Sequence, residues 1–289
     1  MKKEIKDLLP NWVNEKQDRT LTLTNDLDSL ISCSLLKHLF GYEINHFYTF
    51  SRFATLNQSD TRKSIGVDMA LTRGYCYDNH LNMLTSASYK NPDSANINTA
   101  LNLSRENYSH KFSMSTLIFL WSLYDVPMTI TEDGKKILLA IDSGFKGWYP
   151  EPYRHILENT LDMLEMTELI EVMERTPIGD MYDFISKHEL DSSIRLRQSG
   201  KHDGKLIIDP SGRNINPFLY GLDLEWLSEQ LGFPIELPTE KFTTVQKLSN
   251  KELEWHELDQ KTIDGSFSYA FTYKNKIKLS KMKVEGESA

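Results

Sequence analysis

The stretch of sequence that decides the fold is residues 20–50, TLTLTNDLDSLISCSLLKHLFGYEINHFYTF. Threonine and leucine alternate over its first five residues, which predicts a strand. Asp28 and Ser29 can then cap a helix, which Gly41 ends. The run Ile44–Phe50 predicts a second strand. A strand, a helix and a strand in this order form the βαβ unit of a parallel sheet.

Four short acidic segments recur along the chain, and three of them follow apolar runs that predict buried strands. They contain, in order, Asp26 and Asp28, then Asp68, then Asp78-Asn79-His80, then Asp142-Ser143-Gly144. Side chains that follow the strands of a parallel sheet can meet at one edge of it. Carboxylates that meet repel one another unless a cation lies between them, so the pattern predicts a divalent-metal site.

Each segment also has an ordinary structural interpretation. Asp26 and Asp28 are typical of helix caps. Asp68 is typical of a turn, and Asp78–His80 of an Asx turn with a surface histidine. Asp142 is typical of a helix C-terminus with a glycine cap. Only convergence of the segments in space would favour the metal site over these alternatives.

The rest of the chain predicts two domains, residues 1–188 and 189–289. An Asn/Ser-rich active-site loop or irregular segment at 91–109 precedes predicted helices at 113–124, 132–141, 151–174 and 178–188. The second domain is predicted to contain a polar linker or long turn at 195–204, a strand at 206–208, a turn at 210–212, a helix near 222–232, a hairpin of 266–273 with 276–279, and a disordered tail at 285–289. The predicted fold class is α/β, with a mostly parallel sheet flanked by helices and a smaller α+β domain after it.

The composition is that of a soluble globular protein, with 39% hydrophobic and 26% charged residues in a chain of 289. The net charge of −8 argues against tight binding of long duplex DNA, where phosphate contacts dominate the affinity. Cys33 and Cys76 have no metal-binding spacing and are predicted to be buried thiols. No signal-peptide core and no apolar run of membrane-spanning length is present, so a cytoplasmic location is expected.

Taken in order, the four acidic segments resemble the motifs of the DHH phosphoesterase superfamily, over roughly residues 18–150. Asp26-Leu27-Asp28 matches the family's first Asp-x-Asp pair, and Asp68 matches its lone aspartate. Asp142-Ser143-Gly144-Phe145 matches its fourth motif. Asp78-Asn79-His80 matches the Asp-His-His signature imperfectly.

The resemblance implies one or two Mn²⁺ or Mg²⁺ ions as cofactors. Their ligands would be Asp26, Asp28, Asp68, Asn79 and Asp142, with Asp68 as the bridge. His80 would contact the scissile phosphate, and Asp78 would orient His80. Substrate contacts would come from Ser143 and Gly144 of the fourth motif, and from His110 and Lys111, which are equally typical of a surface.

Three features depart from the family. Asn79 replaces the first histidine of the signature, and an amide oxygen is a weaker Mn²⁺ ligand than imidazole. The stretch Thr22–Asn25 lacks the histidine that often precedes the first aspartate pair. The second half lacks a Gly-Gly-His substrate motif. Its basic residues could still contact a substrate or could form a solvated face; they are Arg195, Arg197, Lys201, Arg213, Lys274, Lys276, Lys278 and Lys281.

The sequence therefore predicts a divalent-metal-dependent phosphoesterase. Its expected substrate is a nucleotide, a cyclic or short oligonucleotide, or a single-stranded nucleic acid end. The alternative, motivated by Asn79, is a catalytically inactive DHH-like protein that binds or sequesters a nucleotide or a protein partner. An inorganic pyrophosphatase shares the fold but loses support through the missing histidine. Long duplex DNA and membranes are not expected partners, and a homodimer is left open.

Overall fold

The computed structural model describes residues 1–209 and 222–282. The predicted turn at 210–212, Arg213 and the tail at 285–289 lie outside the described residues. The chain forms two compact units. Unit 1 comprises Met1–Asp7, Asn25–Tyr42 and Phe112–Glu240, and unit 2 comprises Leu8–Thr24, Glu43–Lys111 and the chain from Lys241 onward. Neither unit follows the predicted division at residue 188, because each takes segments from both sides of it.

The strands of the described chain are β1 (Thr20–Leu23), β2 (Ile44–Thr49), β3 (Arg52–Thr55), β4 (Ser64–Val67), β5 (Cys76–Tyr77), β6 (Ser94–Ala95), β7 (Ser193–Leu196), β8 (Leu206–Asp209), β9 (Thr243–Glu254), β10 (Ser268–Tyr273) and β11 (Lys276–Met282). β7 and β8 form a separate hairpin in unit 1. The other strands form one sheet in unit 2, in the order β10-β11-β9-β3-β2-β1-β4-β5-β6.

This large sheet has a parallel part and an antiparallel part. β2, β1, β4, β5 and β6 are parallel neighbours, which confirms the parallel arrangement predicted from the βαβ pattern. All residues of β1 are buried, as expected of a strand that is covered on both faces. The pairs that involve β3, β9, β10 and β11 are antiparallel, so the sheet is mixed.

Three neighbouring parallel strands each end in a polar residue at the same edge of the sheet. Asp68 directly follows β4, Asp78 follows β5 and Asn96 follows β6. Backbone hydrogen bonds continue the ladder past the strands: Asp68 N donates to Tyr77 O at 2.9 Å, and Asp78 N to Ala95 O at 3.1 Å. These residues therefore lie at the carboxyl edge, which is where ligands bind in open α/β sheets.

The predicted C-terminal hairpin is confirmed as β10 and β11. β9 joins it to β3, so strands from the two ends of the chain share one sheet. Phe271 N donates to Leu81 O at 2.8 Å, and Tyr269 N donates to Ala70 O at 3.1 Å. The sheet therefore curls until the outer edge of β10 meets the segments after β4 and β5. An apolar cluster that includes Leu253, Phe271, Ile277 and Leu279 fills this part of unit 2.

The helices of the described chain are α1 (Lys3–Lys6), α2 (Leu27–Phe40), α3 (Ile97–Ala100), α4 (Thr116–Leu123), α5 (Glu132–Ala140), α6 (Glu151–Met163), α7 (Glu168–Arg175), α8 (Ile178–Lys187), α9 (Leu224–Leu231) and α10 (Gln260–Asp264). All but α3 and α10 belong to unit 1. Every residue of α4 is buried, which is typical of a helix inside a core. Ser115 caps α4 by accepting the N–H of Ile118 at 3.1 Å.

One predicted helix of unit 1 differs from the structure. The helix predicted at 151–174 is in fact two helices, α6 and α7. Glu165 lies between them with a φ of 57°, and this left-handed backbone ends the first helix although glutamate is a good helix former. The polar stretch 195–204, predicted to be a linker or a long turn, supplies the end of β7 and most of the turn to β8, which confirms the turn.

The sequence offered Asp26, Asp28 and Ser29 as caps at the start of α2, and the structure selects one of them. The Asp26 carboxylate accepts the N–H of Ser29 at 3.1 Å, so Asp26 rather than Asp28 is the cap. Gly41 ends the helix with a φ of 67°, as predicted. The side chain of Asp28 is thereby left for other contacts within unit 1.

Candidate metal centre

Asp78 is a fully buried carboxylate that accepts three hydrogen bonds. Its Oδ1 lies 2.7 Å from Nδ1 of His80 and 3.1 Å from the backbone nitrogen of His80. Its Oδ2 accepts the amide group of Asn96 at 2.7 Å. Three donors offset the desolvation of this carboxylate. If the Asp78 carboxylate is ionised it can only accept, and the short contact then requires a proton on Nδ1 of His80.

Asp68 brings a second carboxylate to this group. It is 5% exposed, and its Oδ1 lies 4.0 Å from Nδ1 of His80. Its φ of 57° is left-handed, a conformation that aspartate tolerates better than most residues. Asp68, Asp78 and His80 each offer one ligand atom, and these atoms lie within 4.8 Å of one another. Unit 2 therefore gathers two carboxylates and an imidazole at the carboxyl edge of its sheet.

Two asparagines that the sequence analysis did not single out hold this segment in place. Asn96 and Asn98 are both fully buried. Besides Asp78, Asn96 donates to the backbone oxygen of His80 at 2.8 Å. Asn98 donates to the backbone oxygen of Asn79 at 2.8 Å. The available signal was the Asn-Ile-Asn alternation inside the segment that was predicted to be an active-site loop or an irregular segment.

Unit 1 contains the other predicted carboxylates, and Asp28 is the buried one among them. It is 2% exposed and lies in the first turn of α2. Its Oδ2 accepts the N–H of Thr116 at 2.7 Å, and its Oδ1 accepts the N–H of Leu117 at 2.8 Å. Both N–H groups belong to the first turn of α4. The first N–H groups of a helix have no acceptor within the helix and need one from elsewhere. Asp28 therefore stabilises α4 whether or not it also binds a cation.

The electrostatics of Asp28 disfavour its charged form. Burial raises the pKa of this carboxyl well above its usual value. The charges of Asp142 and Asp26 raise the pKa further, while the two backbone hydrogen bonds from α4 lower it. A carboxyl group in this situation gains a proton or a neighbouring cation readily.

Asp142 and Ser143 follow α5 with φ values of 57° each. Asp142 is exposed, and one of its carboxylate oxygens lies within 4.8 Å of one of Asp28. A Cβ added to Gly144 would lie 2.8 Å from Sδ of Met114, so packing explains the glycine at this position. The predicted contacts of Ser143 and Gly144 with a substrate stay predictions.

His110 and Lys111 lie at the end of a 3-10 turn, Arg105–His110, in unit 2. His110 is exposed, and its Nδ1 lies 3.2 Å from Oγ of Ser109. The Lys111 ammonium lies 5.0 Å from the centre of the Tyr108 ring. These contacts are typical of a protein surface, and the predicted role in substrate binding stays a prediction.

Several of the basic residues in the second half of the chain have local partners. Arg195 pairs with Asp209 at 2.8 Å across the β7–β8 hairpin. Lys276 pairs with Glu252 at 3.2 Å across β9 and β11. The Lys278 ammonium lies 4.5 Å from the centre of the Phe50 ring. These contacts account for the three side chains without a substrate.

The donor atoms of the two acidic groups are those that hard divalent cations prefer. Carboxylate oxygens suit Mg²⁺ and Mn²⁺, and an imidazole nitrogen among them favours Mn²⁺. In unit 2 the donors are Asp68, Asp78 and His80, and in unit 1 they include Asp28 and Asp142. The residues present are therefore suited to the predicted metal.

Comparisons with known proteins gave no match to a family model, to a curated protein or to a solved structure. The resemblance to the DHH superfamily rests on the four motifs alone and stays a prediction. Both cysteines are buried free thiols, as predicted. Among residues 1–209 and 222–282, every helix is too short or too polar to cross a membrane.

Proposed function

We propose that this protein is a divalent-metal-dependent phosphoesterase of the DHH type. The observation that carries the proposal is the group formed by Asp68, Asp78 and His80. Two of these residues follow neighbouring parallel strands, both carboxylates are buried, and the ligand atoms lie within 4.8 Å of one another. Buried carboxylates this close are costly without a proton or a cation between them.

In this proposal the unit 2 group holds a Mn²⁺ or Mg²⁺ ion, and Asp68 is the main carboxylate ligand. Asp26, Asp28 and Asp142 would supply further carboxylates, as the motif order implies, for one or two ions in all. The bound metal would supply an activated water and would neutralise charge on a phosphoryl group. The resemblance assigns His80 and Asp78 to the scissile phosphate as a catalytic pair; their place in the unit 2 group favours metal binding by His80 instead, with Asp78 orienting its ring.

The proposed substrate is a nucleotide, a cyclic or short oligonucleotide, or a single-stranded end. A chain with a net charge of −8 would repel a long polyanion, whereas a metal ion can make a local site attractive to one or a few phosphates. Long duplex DNA and membranes are not proposed partners, and the predicted cytoplasmic location and homodimer stay predictions.

A second candidate is a catalytically inactive protein that keeps this arrangement to bind a nucleotide or a protein partner. The hydrogen bonds of Asp28 and Asp78 favour this candidate. In each residue, both carboxylate oxygens are in hydrogen-bond contact with other groups of the protein. Asn79 favours it too, since an amide stands at the signature's first histidine position. Asn79→His should then strengthen Mn²⁺ binding if residue 79 lies in the ligand position.

Hydrolysis of phosphoesters tests the proposal and separates the two candidates. Purified protein is assayed with Mn²⁺ or Mg²⁺ on a chromogenic phosphodiester, cyclic dinucleotides, short single-stranded oligonucleotides and pyrophosphate. The enzyme should hydrolyse at least one phosphodiester, and activity should stop with EDTA and in Asp68→Asn. Asp183→Asn, which changes an exposed carboxylate of α8, is the matched control and should keep full activity. Mn²⁺ binding without turnover of any of these substrates would favour the inactive binding protein.

A further inference from the structure

Asn96, which belongs to none of the four motifs, holds the Asp78–His80 pair in place. Asn96 is fully buried, directly follows β6, and lies beside the strand that Asp78 follows. Its amide group donates both to Oδ2 of Asp78 at 2.7 Å and to the backbone oxygen of His80 at 2.8 Å. Its own oxygen accepts the N–H of Thr99 at 3.3 Å and caps α3. One side chain thus ties the carboxylate, the backbone after it and the next helix together.

The other carboxylate oxygen of Asp78, Oδ1, contacts the His80 ring and influences which ring nitrogen carries the proton. Oδ1 lies 2.7 Å from Nδ1 of His80, and a carboxylate at that distance needs a proton on the nitrogen. In a neutral imidazole the other nitrogen, Nε2, then carries the lone pair. A lone pair can bind a cation but cannot donate a hydrogen bond to a phosphate oxygen. Neutral His80 is therefore suited to be a metal ligand rather than a phosphate contact.

We infer that Asn96 is a positioning residue: by fixing the Asp78 carboxylate, it holds His80 in the Nδ1–H tautomer and in one ring orientation, and thereby sets the affinity of the unit 2 group for a divalent cation. The metal-ligand part rests on the proposed function, whereas the tautomer part does not. The inference assigns His80 as the imidazole ligand of a chain whose signature has Asn79 at the usual histidine position. Carboxylates that orient a metal-binding histidine in this way change metal affinity when they are disturbed.

Asn98 provides a matched control in the same segment. It is as deeply buried as Asn96, lies two residues away, and also donates to a backbone oxygen of the signature, that of Asn79 at 2.8 Å. The bond from Asn98 to Asn79 goes to a backbone carbonyl, whereas Asn96 bonds the Asp78 carboxylate as well as a backbone carbonyl. Asn96→Ser and Asn98→Ser each shorten a buried amide by the same amount. A purely structural role predicts the same outcome for both.

The first readout is the protonation of the His80 ring, measured by NMR of imidazole nitrogens in metal-free protein at about pH 8.5, where histidine is ordinarily neutral. His80→Gln identifies the signal. The wild type and Asn98→Ser should carry the proton on Nδ1, and Asn96→Ser should shift it towards Nε2. The second readout is the Mn²⁺ dissociation constant, which should rise about 10- to 100-fold in Asn96→Ser and change by less than about threefold in Asn98→Ser.

The outcomes test the proposed metal-dependent function and the positioning role of Asn96 separately. If the wild type binds no Mn²⁺, the proposed function fails, and the tautomer comparison still decides the role of Asn96. An equal tautomer shift in both serine variants, or none in Asn96→Ser, overturns the inference. If Asn96→Ser does not fold, Asn96→Asp keeps the cap on α3 but replaces the donor that faces Asp78, and the same shift is expected. A wild-type His80 protonated on Nε2 overturns the inference whatever the variants do.

Discussion

Asp28→Asn tests how much of unit 1 depends on the Asp28 carboxylate. Each oxygen of Asp28 accepts one amide of α4, from Thr116 at 2.7 Å and from Leu117 at 2.8 Å. Asparagine has one acceptor oxygen, so its NH₂ group would face one of these buried amides. An unpaired buried donor costs about 1–3 kcal/mol. Relief of the repulsion from Asp142 and Asp26 opposes this cost, so we expect a net destabilisation of about 1–2 kcal/mol in metal-free protein.

The raised pKa of Asp28 also predicts the direction in which the free energy of unfolding changes with pH. The pKa of Asp28 is raised in the folded protein, so folding binds its proton more tightly than the unfolded chain does. The stabilisation from this proton is fully present below the ordinary aspartate pKa and is lost as the pH rises through the raised value. The metal-free wild type should therefore lose stability over that interval, and this loss should be absent from Asp28→Asn.

Urea unfolding followed by tryptophan fluorescence, in EDTA and over a series of pH values, measures both effects. Asp183→Asn is the control, since it removes a carboxylate that is exposed on α8. An Asp28→Asn protein with the stability and pH dependence of the wild type would refute the conclusion that Asp28 caps α4 as a strained, buried acid.

Three further predictions follow from other parts of the molecule. Burial raises the pKa of the Cys76 thiol to about 12, so this thiol should stay unreactive towards a thiol reagent at about pH 8 until the protein unfolds, and rapid labelling of folded protein would contradict its burial. Gly144→Ala should destabilise the protein by about 1–3 kcal/mol, because the new Cβ would lie 2.8 Å from Sδ of Met114. Thermal unfolding measures this loss. The double variant Gly144→Ala/Met114→Ala should recover part of the stability that Gly144→Ala loses. Leu279→Ala should lower the free energy of unfolding by about 2–5 kcal/mol, since Leu279 is 1% exposed in the core of unit 2, and a change below about 1 kcal/mol in urea unfolding would contradict that packing.

The local elements of the fold were predictable because their signals are short-range. Alternation identified β1, and Gly41, which has a positive φ, ended α2. The βαβ order then predicted the parallel part of the sheet. Each of these signals depends on residues within about one helical turn of one another.

The elements that were missed depend on contacts between distant parts of the chain. β9 is long but mostly exposed and polar, so it lacks the alternation of a half-buried strand, and only its pairing with β3 and β11 makes it part of the sheet. The break at Glu165 falls inside a run whose apolar spacing is helical throughout. The identity of the cap on α2 was also undecidable locally, because Asp28 is used by α4.

The sequence allowed the residues of the candidate site to be predicted, but not the hydrogen bonds that hold them in place. The structure brings ligand atoms of Asp68, Asp78 and His80 within 4.8 Å of one another in unit 2, whereas the sequence had assigned only Asp68 of these three to the metal. The support from Asn96 and Asn98 could not be derived, because it depends on β6, a two-residue strand that pairs with β5. The sequence had predicted that segment as an active-site loop or an irregular segment, without singling out either asparagine.

The measurement that tests the central claim most directly is a calorimetric titration of metal-free protein with Mn²⁺. The wild type should bind at least one ion, Asp183→Asn should bind it equally well, and Asp68→Asn should bind it at least about tenfold more weakly, because one buried carboxylate of the unit 2 group is lost. A wild type that binds no Mn²⁺, or an Asp68→Asn protein that binds it as tightly as the wild type, would contradict the assignment of Asp68, Asp78 and His80 as a metal centre.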